Sequence, residues 1–334
     1  MSNKSRSLGS TIVAIVFTLI VLGATAWVVT NRQFVLDQLN VWWYQPTTSI
    51  TSLSNRSGMS DTGRFYLYAS QPQIESATDF NVNCVRQEVS SAILGCYSAQ
   101  RIYIYDVTNN ELDGVEDVTA SHEMLHAVWE RMSSGEKQSV GALLESAFVV
   151  VNDPKLNERM AYYDRTEPGE RNNELHSILG TEYSNLGGKL EAYYGKYFTS
   201  RTKVVTLHNS YQSKFDSLKD QSDVLRAELA TLKKAISDQS GQYNTEAASV
   251  SIAAEDLKKQ YDKVDRTSSS EVKAYNAQRQ VLLNRIAALD SLRAQINAET
   301  DAYNQKVTQY NSIVVTTNEL NSSLDSTLVT APSL

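Results

Sequence analysis

From about Val204 onward the chain places one residue series at every seventh position: Phe215, Ser222, Leu229, Ile236, Tyr243, Val250, Leu257 and Val264. A companion stripe runs Tyr211, Leu218, Leu225 and Leu232, then shifts by one position to Ala247, Ala254 and Tyr261. In a strand, residues seven apart face opposite sides; in a helix they return to one face after two turns. The spacing therefore commits residues 205–334 to helix and predicts a coiled coil. After "DRTSSSE" a second series follows, Tyr275, Leu282, Leu289, Ile296, Tyr303 and Tyr310, with Val272, Ile286, Val307 and Val314 between. Two such helices joined by a Ser-rich turn fold back as an antiparallel hairpin, each arm about 80 Å long at 1.5 Å per residue. Gln, Asn, Ser and Arg at several seam positions soften it, so the hairpin calls for a second copy or a protein partner.

The N-terminus is constrained as strongly. "TIVAIVFTLIVLGATAWVV", Thr11–Val29, carries no charge and has the length of a helix that crosses the hydrocarbon core. Lys4 and Arg6 precede it with no acidic residue between, which leaves residues 1–10 as a cytosolic tail, 11–30 as a single-pass cell-membrane anchor and the rest extracytoplasmic. The alternative is a cleaved signal peptide, with "ATA" at Ala24–Ala26 as the small-x-small cleavage site. Either way Cys84 and Cys96 lie in an oxidising compartment and are expected to form a disulfide. A net charge of -7 offers no basic stripe, so nucleic acid is not expected as a partner.

Residues 31–60 read as a connector. Trp42, Trp43 and Tyr44 suit either a membrane interface or a short helix packed on the domain, and "TTSITSLSNRSGMSDTG" reads as a loop. Residues 61–204 read as a compact α+β domain. "RFYLYAS" (Arg64–Ser70) and "RIYIYDV" (Arg101–Val107) alternate like strands, and "SSAILGCYS" before the second is its hairpin partner, with Tyr97–Gln100 in the turn. Asn, Asp and Gly in "NNELDG" make a loop, after which the pattern turns helical. Further helices follow at "EKQSVGALLESAFVVV" and at "DPKLNERMAYY", which opens with Asp153 as N-cap and Pro154 in the first turn. "EPGERNNELHSILG" reads as a loop running into a further helix.

The chemistry sits in "VTASHEMLHAVWERM", Val118–Met132. His122 and His126, at i and i+4, share a helix face and can both reach one zinc ion. Glu123 is placed to take a proton from an activated water and pass it to a leaving amine. Its uncharged neighbours fit a buried metal-site helix. The chain holds only 4 histidines, so the arrangement is rare by chance.

"HEMLH" behind the "RIYIYDV" strand resembles the zincin metallopeptidases. The resemblance covers roughly Arg64–Lys203 and implies a zincin-like fold, with a small antiparallel sheet lying above the motif helix. It implies one zinc ion per chain on His122 and His126, Glu123 as general base and acid, and an extended polypeptide substrate paired along Arg101–Val107. No histidine follows where the metzincin pattern wants one, so the gluzincin-like branch is left, with a glutamate from a downstream helix as third ligand. Glu174 is the first choice, in Asn-Glu-x-x-Ser, where a small residue three positions on lets two helices pack closely. Ile178 stands where that branch usually has an acidic partner. Glu182, after the helix-breaking Gly180, is second and His176 third. The family also uses a tyrosine or histidine to stabilise the oxyanion. His176 is the catalytic candidate here, ahead of Tyr162, Tyr163 and Tyr183; His208 reads as surface.

The function expected is that of a membrane-anchored, extracytoplasmic zinc endopeptidase. The alternative is a cell-surface structural or adhesion protein that works through its coiled coil and carries a non-catalytic metal-binding domain. An intact Glu123 favours the enzyme, because binding alone has no use for a general base.

Overall fold

The structure, a computed structural model, describes residues 8–85 and 93–327. It is mostly helical, with one small sheet. The chain divides into two units: residues up to Ser213 together with those from Leu320, and Lys214–Glu319.

In the first unit, α1 (Leu8–Thr30) contains an exposed apolar run, Thr11–Thr30, long enough to cross a membrane. The helical hydrogen bonding passes through Asn31 into α2 (Arg32–Trp43), with Asn31 N donating to Trp27 O at 2.9 Å and Val35 N to Asn31 O at 3.0 Å. α2 packs on the domain. Asn40 Nδ2 donates to Ala69 O at 3.1 Å, and Asp37 is buried, while Trp42 and Trp43 remain exposed.

The stretch read as a loop is largely helix α3 (Thr48–Arg56), followed by α4 (Asp61–Ala69). Thr47 and Ser60 cap them, accepting from Ile50 N and Gly63 N. Ile50 and Leu53, three apart, enter the core, and Ser57 comes close enough to donate to Asp117 O at 3.2 Å. The Ser/Thr composition thus marks caps and close approaches. α4 also corrects the strand expected at Arg64–Ser70. Its run of Phe65, Tyr66, Leu67 and Tyr68 is apolar throughout, so alternation could not tell strand from helix. Gly63 and Leu67, four apart, are buried on one helical face, and Gly63 lies against the Tyr197 backbone.

The sheet is mixed rather than antiparallel. β1 (Gln73–Glu75) and, beyond α5 (Ala77–Asn83), β2 (Gly95–Ser98) and β3 (Arg101–Tyr105) lie in the order β1-β3-β2. β1 runs parallel to β3 and β2 antiparallel to it. The hairpin turn is Ala99–Gln100, both at positive φ, so Tyr97 and Ser98 stay in the strand, paired with Ile102 and Arg101. β3 therefore has neighbours on both sides and cannot take a substrate strand. The edges among the described residues are β1 and β2, and of the two it is β2 that borders the cleft. Cys84 and Cys96 form a disulfide that ties the end of α5 to β2.

Asn110–Leu112, within the expected loop, is a single 3-10 turn. α6 (Val115–Arg131) then passes through the core, with Met124, Leu125 and Ala127 fully buried. Around it come α7 (Ser134–Val151), α8 (Pro154–Thr166), α9 (Arg171–Glu182) and α10 (Gly188–Tyr194). Asp153 caps α8 as expected, accepting from Lys155 N at 2.7 Å.

α11 (Arg201–Tyr261) and α12 (Ser269–Leu324) form the helical pair, and their seam in the second unit follows threes and fours from Leu218 to Leu257 and from Leu282 to Thr317. The expected shift to Ala247 and Ala254 does not occur. The stripe continues through Gln239, Glu246 and Ala253, and on α12 through Arg285 and Glu299 instead of Ile286. Polar side chains hold those places because they meet partners across the seam. Gln239 Nε2 donates to Glu299 Oε1 at 2.8 Å, and Arg285 Nε to Glu246 Oε1 at 2.7 Å.

Within the first unit Arg131, at the end of α6, forms a buried ion pair with Asp37 of α2 at 2.8 Å and also donates to Tyr97 OH on β2 at 2.9 Å. Removing either charge strands the other in a dry site. Arg131→Ala and Asp37→Ala are each expected to lower unfolding free energy by about 3–5 kcal/mol in denaturant titrations, the double variant by less than the sum.

Candidate metal centre

One helical turn separates His122 from His126, so both rings leave the same face of α6, with centroids 4.8 Å apart. α9 crosses α6 and brings Glu174, whose carboxylate oxygens lie 3.9 Å from His122 Nε2 and 3.5 Å from His126 Nε2. The two helices come this close because Gly180 and Ser177 stand at their contact. A Cβ on Gly180 would press into Leu125 of α6 and lie 2.8 Å from Tyr194 Cε1. Gly180 is thus a packing residue inside α9, not a helix breaker.

The hydrogen bonds around the triad assign its protons. Asn173 Nδ2 donates to Glu170 Oε2 at 2.9 Å, which turns its Oδ1 toward His126 Nδ1, also at 2.9 Å. Nδ1 must then carry the hydrogen, leaving the Nε2 lone pair facing the Glu174 carboxylate. A lone pair facing a carboxylate calls for a positive charge between them, a proton or a metal ion. One donor atom from each of His122, His126 and Glu174 lies within 4.8 Å of the others, so the group could hold a metal ion. Burial, then His126, pushes His122 below its usual range and keeps it neutral, the form a metal requires. At His126 burial pulls the other way from Glu174 and Glu123, and the carboxylates prevail, raising it.

Glu123 is 5 % exposed and raised to about 7, chiefly by burial; His126 works against that rise, while Glu174 and Glu167 add to it. Its carboxylate has no hydrogen-bond donor among the described residues, and β2 lies directly on it. A Cβ on Gly95 would sit 2.5 Å from Thr119 Cγ2 and 2.8 Å from Glu123 Oε1, so only glycine lets the strand approach. The triad and Glu123 open into a cleft of about 690 Å³, bordered by β2, the Cys84–Cys96 bridge, Tyr162, Tyr163 and the Glu167–Glu170 turn. A smaller cavity of about 170 Å³ lies behind, between Thr119, Glu123, Arg159 and Glu182.

Other expected site residues lie elsewhere. Glu182 reaches Arg159 at 2.7 Å instead of the histidines, because it ends α9 more than two turns beyond Glu174. His176 is fully buried, with Nε2 2.8 Å from Tyr193 OH and its ring stacked on Tyr194. Burial lowers it to about 3, and it does not border the cleft. Its part is in packing. Tyr183 donates to Asp153 at 3.1 Å. His208 is not a surface residue; it is partly buried, 3.0 Å from Tyr211 OH.

No family model, curated protein or solved structure matches this chain. Sequence reasoning did not assign Asn173, Gly95 or Glu167. Asn173 had a signal, standing directly before Glu174; Gly95 and Glu167 had none, since both matter through contacts made far along the chain.

Elemental analysis of the purified chain after reconstitution is expected to find one metal ion. Glu174→Ala should weaken its binding by more than about a hundredfold, beyond what loss of an outer partner usually costs. Glu182→Ala should retain the metal and lower only stability, by leaving Arg159 unpaired.

Proposed function

We propose that this chain is a membrane-anchored, extracytoplasmic zinc endopeptidase. The observation that carries the reading is Glu123, a buried carboxylate with no hydrogen-bond donor among the described residues, beside a His-His-Glu donor set in an open cleft. A site that only stored a metal would have no reason to hold a further carboxylate without a donor beside the ligands. Two imidazoles and one carboxylate are a donor set that suits zinc while leaving room for a substrate. When bound, zinc supplies Lewis acidity that lowers the pKa of water and polarises a carbonyl oxygen.

The chain's own residues do the rest. His122, His126 and Glu174 hold the ion, and Asn173 fixes the His126 ring. Glu123 accepts a proton from the attacking water and delivers it to the departing amine. A substrate can lie along β2. In its antiparallel register with β3, Gly95 and Tyr97 form the non-hydrogen-bonded pairs, so their backbone groups point to the open edge. An extended peptide pairs with such an edge by main-chain hydrogen bonds.

The apolar α1 and the Cys84–Cys96 disulfide point to the secretory pathway. Lys4 and Arg6 ahead of the span favour a cytosolic N-terminus and an external cleft.

Cleavage of a peptide library by the zinc-loaded full chain in detergent, read by mass spectrometry, tests the reading. Glu123→Gln is expected to keep the metal and lose about 10²–10⁴ in turnover. A zinc-loaded chain that cleaves nothing would sink the proposal. Gly95→Ala should also keep the metal yet lose at least about tenfold in turnover, because its new methyl displaces Glu123 from its working position.

A further inference from the structure

Among the described residues the cleft brings together more carboxylates than one metal ion offsets. Glu123, Glu167, Glu170 and Glu174 border it, with no Lys or Arg among the described lining residues. A divalent ion balances two of these carboxylates, and Glu174 and Glu123 stand at the centre itself. Glu167 and Glu170 are left over.

Glu170 accepts a hydrogen bond from Asn173 at 2.9 Å. Glu167 has less. It follows the end of α8, where its N–H donates to Tyr163 O at 2.8 Å, and its carboxylate has no hydrogen-bond donor among the described residues. The nearby arginines are engaged elsewhere. Arg159 pairs with Glu182, Arg165 donates to Ala161 O, and Arg171 pairs with Glu145 and Asp164. Burial raises Glu167, and Glu174 raises it further. A partly desolvated carboxylate beside others is costly to hold, and any cation entering the cleft would relieve that cost.

We propose that Glu167, supported by Glu170, receives a cationic group of the substrate: a Lys or Arg side chain flanking the scissile bond. The assignment rests on the peptidase reading. Charge complementarity of this kind sets specificity, because a carboxylate-bearing substrate meets repulsion at the same place. A free α-ammonium offers the same chemistry from another source, and the test separates the two.

Internally quenched peptides that differ only in carrying Lys, Gln or Glu beside one cleavage site, each with a free or acetylated N-terminus, are compared on the zinc-loaded full chain. The expected result is that kcat/KM for Lys exceeds that for Glu by at least about tenfold, whether or not the N-terminus is acetylated. The preference should fall toward parity in Glu167→Gln and reverse in Glu167→Lys. Binding of the same peptides to Glu123→Gln protein, measured by calorimetry, reads the site without turnover. Charge-selective binding that depends on Glu167, without cleavage by the parent chain, would defeat the peptidase reading and leave a cation site. Equal binding of Lys and Glu peptides, or a preference untouched in Glu167→Gln, would overturn the inference and leave the peptidase reading standing. Preference only for free N-termini would transfer the subsite to the α-ammonium and overturn the side-chain assignment. A second metal ion lost on Glu167→Gln would overturn it too.

Discussion

The close packing of α6 on α9 is the constraint on which the site depends. A metal-binding triad needs three donors at one point, yet two come from one helix and the third from a segment almost fifty residues on. The helices reach that distance because Gly180 adds no side chain at their contact and Ser177 adds a small one. Leu125 and Tyr194 fill the space a larger residue would claim. The same contact explains why so much of α6 is buried. A helix surrounded by α3, α4, α9 and the sheet can present histidines inward and hold a glutamate away from water.

The rest of the first unit braces this pair. Arg131 joins α2, α6 and β2 in one buried knot, so the helix continuing from the apolar α1 is tied to the helix that carries the histidines. Such a pair adds little net stability over a well-packed apolar core, but it has one geometry only. Two turns earlier on α6, β2 is drawn onto Glu123 at Gly95, while the disulfide holds the same strand to α5. The cleft wall is therefore placed by backbone contacts and a covalent bond.

The second unit solves a different problem with the same physics. A seam of small and medium apolar residues would let two long helices slide past one another. Gln239 with Glu299 and Glu246 with Arg285 make one alignment better than its neighbours, since a shift by one heptad separates both pairs. These polar layers looked like softness in the sequence because each half was read without its partner.

Sequence alone determined the features that repeat or lie close along the chain. The apolar span needs only composition, the long helices only their period, and the His-Glu-x-x-His turn only the geometry of a single helix. Asn173 and Glu174, adjacent to each other, were nearly legible in the same way. Tertiary structure alone decided which glutamate faces the histidines, because Glu174 and Glu182 share a helix and only the partner helix distinguishes them. It also decided that Arg64–Ala69 is helix, that β3 lies inside the sheet and β2 at an edge, and that His176 is a packing residue. In each case the local pattern was compatible with two outcomes, and burial against a distant surface selected one. A run of aromatic residues has no preferred period until something covers one of its faces.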